Sequence, residues 1–189
     1  MSPGPDLSPF LAPLAALQRL LARFGNRGMV IGGVAASLLG RPRLTADVDA
    51  VILLDIAELP ALLEAAAQEG LFPRFGDAEA FARQNRVLLL RHEASGIQVD
   101  LVLGALPLEE EAVERSCVHH VGGVAIRLPT PEDLVILKAV AHRPQDLLDI
   151  KAIVESHPDL DRERIRYWVN EFVQALEMPA LWDDIARWL

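Results

Sequence analysis

The chain has 189 residues, 51% of them apolar, a formal charge of -9 and one cysteine. That length allows a substantial buried core, and that composition excludes a disordered chain. The acidic balance excludes a protein that coats nucleic acid nonspecifically, since such binding neutralises many phosphates with Lys and Arg, and Cys117 alone excludes an intramolecular disulfide or a Cys-rich zinc site.

In chain order, residues 1–9 are a Pro-rich lead expected to be loosely held. Ser8 and Pro9 supply a helix start, and Phe10, Leu14, Leu17, Leu21 and Phe24 recur at helical spacing before Gly25, so this helix is expected to cover a sheet. No basic start runs into an uninterrupted apolar core, and no stretch has the length of a membrane span, which reads as a soluble cytoplasmic protein.

Met29 to Leu54 carry most of the information: an apolar strand ending at Ile31, Gly32-Gly33, a short helix, a basic turn with Arg41 and Arg43, and a strand opening Asp47-Val48-Asp49. Strand side chains alternate faces, so the two carboxylates point the same way, roughly 6 to 7 Å apart. Hard cations such as Mg²⁺ or Mn²⁺ take oxygen ligands, and a pair of such ions activates an attacking oxygen while neutralising a leaving phosphate. Gly32 and Gly33 lack Cβ atoms and precede a helix N-terminus, which lets backbone N–H groups approach a triphosphate.

Further on, Glu58 to Glu69 and Asp77 to Gln84 read as helices, and Arg86–His92 with Ile97–Leu103 as a hairpin. Asp100 interrupts the second hairpin strand, where it either meets a cation or faces water at an edge. Glu109, Glu110, Glu111 and Glu114 follow Pro107 on a solvated helix, and Cys117 to Leu128 reads as a strand pair around Gly122-Gly123. His119 and His120 point to opposite faces and do not make a zinc site. Thr130-Pro131-Glu132-Asp133 starts a helix holding Lys138, which either snorkels at the surface or reaches a triphosphate. Two helices divided near Pro179 complete the chain, with Ile165, Trp168, Val169, Phe172 and Leu176 forming an apolar stripe.

The set Gly32-Gly33, Asp47-Val48-Asp49 and Asp100 within IQVDLVLG resembles the nucleotidyltransferase superfamily related to DNA polymerase beta, and its wording is similar to small bacterial members including AbiEii-like toxins. The resemblance implies an α/β (α+β) fold, a small mixed sheet flanked by helices, with a core over 1–128 and a helical part over 129–189. It implies transfer of a nucleoside monophosphate from an NTP, with Mg²⁺ or Mn²⁺ held by Asp47, Asp49 and Asp100 and phosphates cradled by Gly32 and Gly33. PEDLVILKAVAHRPQDLLDI resembles the segment after the catalytic core, implying that Lys138 contacts phosphates and Asp146 completes the site; Arg143 and Asp149 are alternatively a structural ion pair. Gly33 stands where many members have Ser, and Ser37, a turn later, and Arg43 are the remaining candidate nucleotide contacts. Arg41, Arg43 and Arg86 are the basic residues expected near the site. The acceptor stays open between a tRNA end, a protein hydroxyl and a small molecule, and a cognate toxin or antitoxin partner or a homodimer fits the same resemblance. A noncatalytic antitoxin-like protein is the competing reading; a nucleotide-binding dehydrogenase ranks below it because Gly32, Gly33 and Gly40 do not fit G-x-G-x-x-G.

Overall fold

The computed structural model describes residues 7–189, so most of the Pro-rich lead lies outside the described residues. A 3-10 turn at Ser8–Phe10 runs into α1 (Leu11–Arg23), whose Leu14, Leu17, Leu20 and Leu21 are buried as the periodicity requires. The central sheet contains β1 (Gly28–Ile31), β2 (Asp47–Leu53), β3 (Leu71–Pro73), β4 (Val87–His92) and β5 (Gln98–Gly104) in the order β1-β2-β5-β4-β3. Only β2 and β5 run parallel; the other pairs are antiparallel, which makes the sheet mixed. The short helix α2 (Gly32–Leu39) links β1 to β2, and α3 (Leu59–Gln68) and α4 (Ala78–Asn85) lie between β2 and β4.

The edge strand β3 is not visible in the sequence, because three residues ending in Pro carry no alternation. Its place is set by its partner: Leu71, Phe72 and Pro73 pair with His92, Arg91 and Leu90. Beyond β5 come α5 (Pro107–Arg115) and a separate hairpin of β6 (Cys117–Val121) and β7 (Val124–Leu128), turning through Gly122 and Gly123 as read. Thr130 caps α6 (Pro131–Ala141) by accepting the Asp133 N–H. His142 then takes a left-handed conformation that ends α6 and admits α7 (Pro144–Ser156), a helix hidden in the sequence behind its mixed polar and apolar wording. Then come α8 (Arg162–Leu176) and α9 (Ala180–Asp183), divided at Pro179 as expected.

Each sheet face has its own cover. Val48, Ala50, Ile52, Leu88, Leu90, Val99 and Leu101 join one large apolar cluster with α1 and α3; Leu134, Ile150, Ile165 and Leu181 from the helical part belong to it too. Met29 and Val51 on the opposite face pack with Ala112 and Val113 of α5 and Leu137 of α6. Only part of this second face is roofed, and the remainder carries polar side chains together with Leu89 and Phe72.

Candidate active site

The unroofed part begins at the amino end of β2. Asp49 is paired across the sheet with Ile31 on one side and Asp100 on the other, and Asp47 pairs with Gln98. Directly paired residues share a face, so Asp47, Asp49 and Asp100 all project from the same side, with Asp49 and Asp100 one strand spacing apart.

Each carboxylate has a protein donor. Thr45 Oγ1 donates to Asp47 at 3.2 Å, the Gly33 N–H donates to Asp49, and Arg74 Nη2 donates to Asp100 at 2.7 Å. Burial, followed by the charges of Asp47 and Asp100, pushes the Asp49 carboxyl above the usual carboxylate range against the pull of Gly33. Burial also raises Asp100; Arg74 opposes that rise and Asp47 adds to it.

The two glycines fit this arrangement by what they lack. Gly32 has φ +64°, and a Cβ there would lie 1.9 Å from Asp49 Oδ2. At Gly33 a Cβ would lie 2.4 Å from Thr45 Oγ1. Any larger residue therefore displaces the side chains it faces, and the bare backbone at the start of α2 stays against Asp49.

Facing the carboxylates is a chain of alternating charges. Arg43 makes a two-pronged pair with Asp149 at 2.8 and 2.9 Å; Lys138 Nζ lies 2.7 Å from Asp149 and 2.9 Å from Asp146; Arg143 Nε reaches Asp146 at 2.7 Å. Burial alone would raise Asp146 and Asp149. Hydrogen bonds from Arg143 and Lys138 to the first, and from Arg43 and Lys138 to the second, outweigh it and hold both below the usual range. Lys138 is 4% exposed, so it neither snorkels nor extends freely into the cleft, whereas the Arg143 side chain is 71% exposed. The alternative Arg143–Asp149 pair is not formed: Arg143, which caps the start of α7, pairs with Asp146 three residues on, leaving Asp149 for Arg43.

Two adjoining clefts meet at Asp49, Lys138, Arg143 and Asp146. One, of about 280 Å³, is polar and includes Gly33, Arg43, Thr45, Asp47 and Gln145. The other, of about 390 Å³, adds Ile31, Gly32, Val102, Leu134 and Leu137. A larger depression of about 460 Å³ lies at the far end of β2 and β5, where Arg86 donates to the Leu103 and Gly104 carbonyls and Arg27 to Phe24 and Glu58. It lacks the carboxylate set. Arg86 thus stands at the opposite end of the sheet from the site where the sequence suggested it, since it closes the carboxyl end of β5. Arg41 pairs with Glu155 at the surface. Ser37 is buried and donates to the Arg43 carbonyl, so its hydroxyl holds the turn and does not line either cleft.

Sequence reasoning missed Arg74 and Thr45. Arg74 follows a strand with no pattern of its own; Thr45 sits two residues before Asp47, and nothing local says that its hydroxyl turns inward. Among the described residues no three carboxylate, imidazole or thiol groups are already gathered as ligands, because each aspartate is drawn to its own donor. The donor set nevertheless suits a hard divalent cation: it is all carboxylate oxygen, and Asp49 and Asp100 are both raised by the charge of Asp47, a repulsion that a cation relieves.

Residues 11–178 match the family described as "Nucleotidyl transferase of unknown function (DUF2204)". Comparison with curated proteins gives no match. The fold is similar to an antigenic nucleotidyltransferase-like protein from Paracoccidioides brasiliensis, at 17% identity and TM-score 0.52 over 93% of this chain and 92% of that one. It is also similar to the antibiotic-resistance factor ANT(2'')-Ia in solution, at 16% identity and TM-score 0.54 over 87% and 93% of the two chains. A crystal structure of ANT(2'')-Ia with adenylyl-2''-tobramycin aligns at 17% identity and TM-score 0.51 over 87% and 98%. At these identities the likeness shows the fold. Among the described residues no helix is long and apolar enough to cross a membrane.

Proposed function

Because the chain belongs to this nucleotidyl transferase family, we propose that it moves a nucleoside monophosphate from an NTP to a hydroxyl of an acceptor, releasing pyrophosphate, with Mg²⁺ or Mn²⁺ at Asp47, Asp49 and Asp100. The observation that carries this reading is the shared face of the three aspartates opposite the Arg43–Asp149–Lys138–Asp146–Arg143 chain. A bound divalent cation would lower the pKa of the acceptor hydroxyl and neutralise charge on the departing pyrophosphate.

The protein's own residues supply position and charge. The Gly32-Gly33 backbone at the start of α2 receives phosphate oxygens, and Arg143 and Arg43, the outer cations of the ionic chain, meet the triphosphate from the other wall. Lys138 and Asp146 support the nucleotide indirectly, since Lys138 spans both buried aspartates and fixes α6 to α7. Asp100, beside Asp49 on the same face, is placed to assist removal of the acceptor proton. Phosphoryl transfer of this kind depends chiefly on positioning and charge neutralisation.

ANT(2'')-Ia, of similar fold, is seen in complex with adenylyl-2''-tobramycin, a small molecule that carries an adenylyl group. The decisive experiment supplies each labelled NTP with Mg²⁺ or Mn²⁺ and cell extract to the protein and to Asp49→Asn. Labelled product and pyrophosphate are expected only with the unmodified protein and metal. Metal-independent labelling, or none with any triphosphate, would sink the proposal.

A further inference from the structure

The face bearing the aspartates does not stop at Asp100. Cross-strand pairing carries it outward along Gln98, Arg91 and Phe72, and along Asp100 and Leu89 to Arg74, whose N–H donates to the Leu89 carbonyl. Where the same face carries Val51 it is roofed by α5, but in this outer strip Gln98 and Arg91 are exposed and Phe72 is 40% exposed. A strip about two strand spacings wide, or roughly 10 Å, thus leads from Asp100 to the sheet edge, and the Arg74 side chain reaches across it to Gln98 and Asp100.

Its chemistry is selective. Arg91 makes no side-chain hydrogen bond or ion pair with any described residue, although Arg19, Arg23, Arg27, Arg41, Arg43, Arg74 and Arg83 all pair with acidic groups. Leu89, Arg91, Phe72 and Gln98 form the outer part of the strip, and Arg74 is neutralised by Asp100 at its inner end, so the uncompensated charge of the outer part is that of Arg91. That outer part offers an anion a guanidinium beside the flat apolar ring of Phe72. An exposed aromatic ring on a rigid sheet with a neighbouring arginine is the combination that holds an unpaired base and its phosphate.

We propose that this strip is the acceptor track and that the acceptor is the hydroxyl-bearing end of a single nucleic-acid strand, an inference that rests on the nucleotidyl transfer reading. A phosphate lies on Arg91, a base on Phe72, and the terminal hydroxyl reaches Asp100. The hydroxyl oxygen bonds to the α-phosphorus and the bond to the bridging oxygen breaks. Its electron pair leaves with pyrophosphate, and the hydroxyl proton passes to solvent. With one unpaired arginine on the track, binding involves few phosphates, which agrees with the acidity of the whole chain.

The test is fluorescence anisotropy with a 5'-labelled six-nucleotide RNA and, separately, calorimetry with ATP, GTP, CTP and UTP in Mg²⁺. Both substituted side chains are exposed, and melting curves check the fold of each variant. Arg91→Glu should weaken RNA binding about tenfold or more, and Phe72→Ala about fivefold, with triphosphate affinity within about twofold of the unmodified protein. Arg91→Ala should also make the slope of log affinity against log salt shallower by about 0.7, the value for one lost phosphate contact on a single strand. Equal RNA affinity in the variants, or an unchanged salt slope, overturns the proposal. So does an unmodified protein that binds triphosphate but not RNA, which leaves nucleotidyl transfer standing; failure to bind any triphosphate takes down both readings.

Discussion

Asp49 and Asp100 are direct partners across the parallel β2–β5 pair, which sets two carboxylates side by side on one face with a single guanidinium, that of Arg74, in contact with the second. Like charges so close destabilise the metal-free fold. Asp49→Asn should therefore preserve or raise the melting temperature without metal, its amide oxygen still accepting the Gly33 N–H, while abolishing the increase in triphosphate affinity that Mg²⁺ brings. Calorimetry beside thermal melting separates the effects; a variant that melts lower and still shows the Mg²⁺ increase contradicts this account.

Arg74 is the next test. Removing it with Arg74→Ala leaves the carboxylates with no guanidinium in contact, so the metal-free protein should melt lower. Adding Mn²⁺ should then raise the melting temperature more in the variant than in the parent, because an ion that binds only the native state stabilises it by mass action. An equal rise in both proteins would mean that Arg74 and the cation do not compete for the same charge.

Lys138 and Arg143 should behave differently despite sharing Asp146. Lys138→Met leaves two buried aspartates short of their common cation and should cost about 3–5 kcal/mol of stability, read from urea unfolding. Arg143→Ala removes a largely exposed side chain, so the fold should hold while triphosphate affinity falls about ten- to hundredfold. The reverse pattern would return the phosphate-binding role to Lys138.

Gly32→Ala addresses the backbone. A methyl group there enters a left-handed conformation and collides with the Asp49 carboxylate. The expected cost is on the order of 1–3 kcal/mol, with loss of transfer activity. Retention of activity would show that Asp49 has room to turn elsewhere.

The acid limb of stability should trace to Asp146 and Asp149. Their carboxyls are held below the usual range in the folded protein, so the unfolded chain binds more protons as pH falls. Their contribution is complete above the unfolded aspartate value near pH 3.9 and is lost as pH drops through the depressed folded values. Urea unfolding between about pH 2 and 7 should show a shallower acid decline for the Asp146→Asn/Asp149→Asn double variant than for the parent.

What the sequence determined by itself was whatever depends on neighbours along the chain. Strand alternation places Asp47 and Asp49 on one face, a glycine pair before a helix leaves backbone bare, and Thr130-Pro131 starts α6, because each is a consequence of local dihedral geometry. The hairpin that carries Asp100 was legible for the same reason. Only the tertiary structure decided who partners whom: Arg43 reaches Asp149 across 106 positions, and Arg74 reaches Asp100 from an edge strand with no pattern of its own. The left-handed turn at His142 folds α7 back onto α6, so Lys138, which the sequence left between surface and phosphate, is enclosed by two aspartates. A charge's role follows from what surrounds it in space, and in a dense interior that is set by packing between segments distant in sequence.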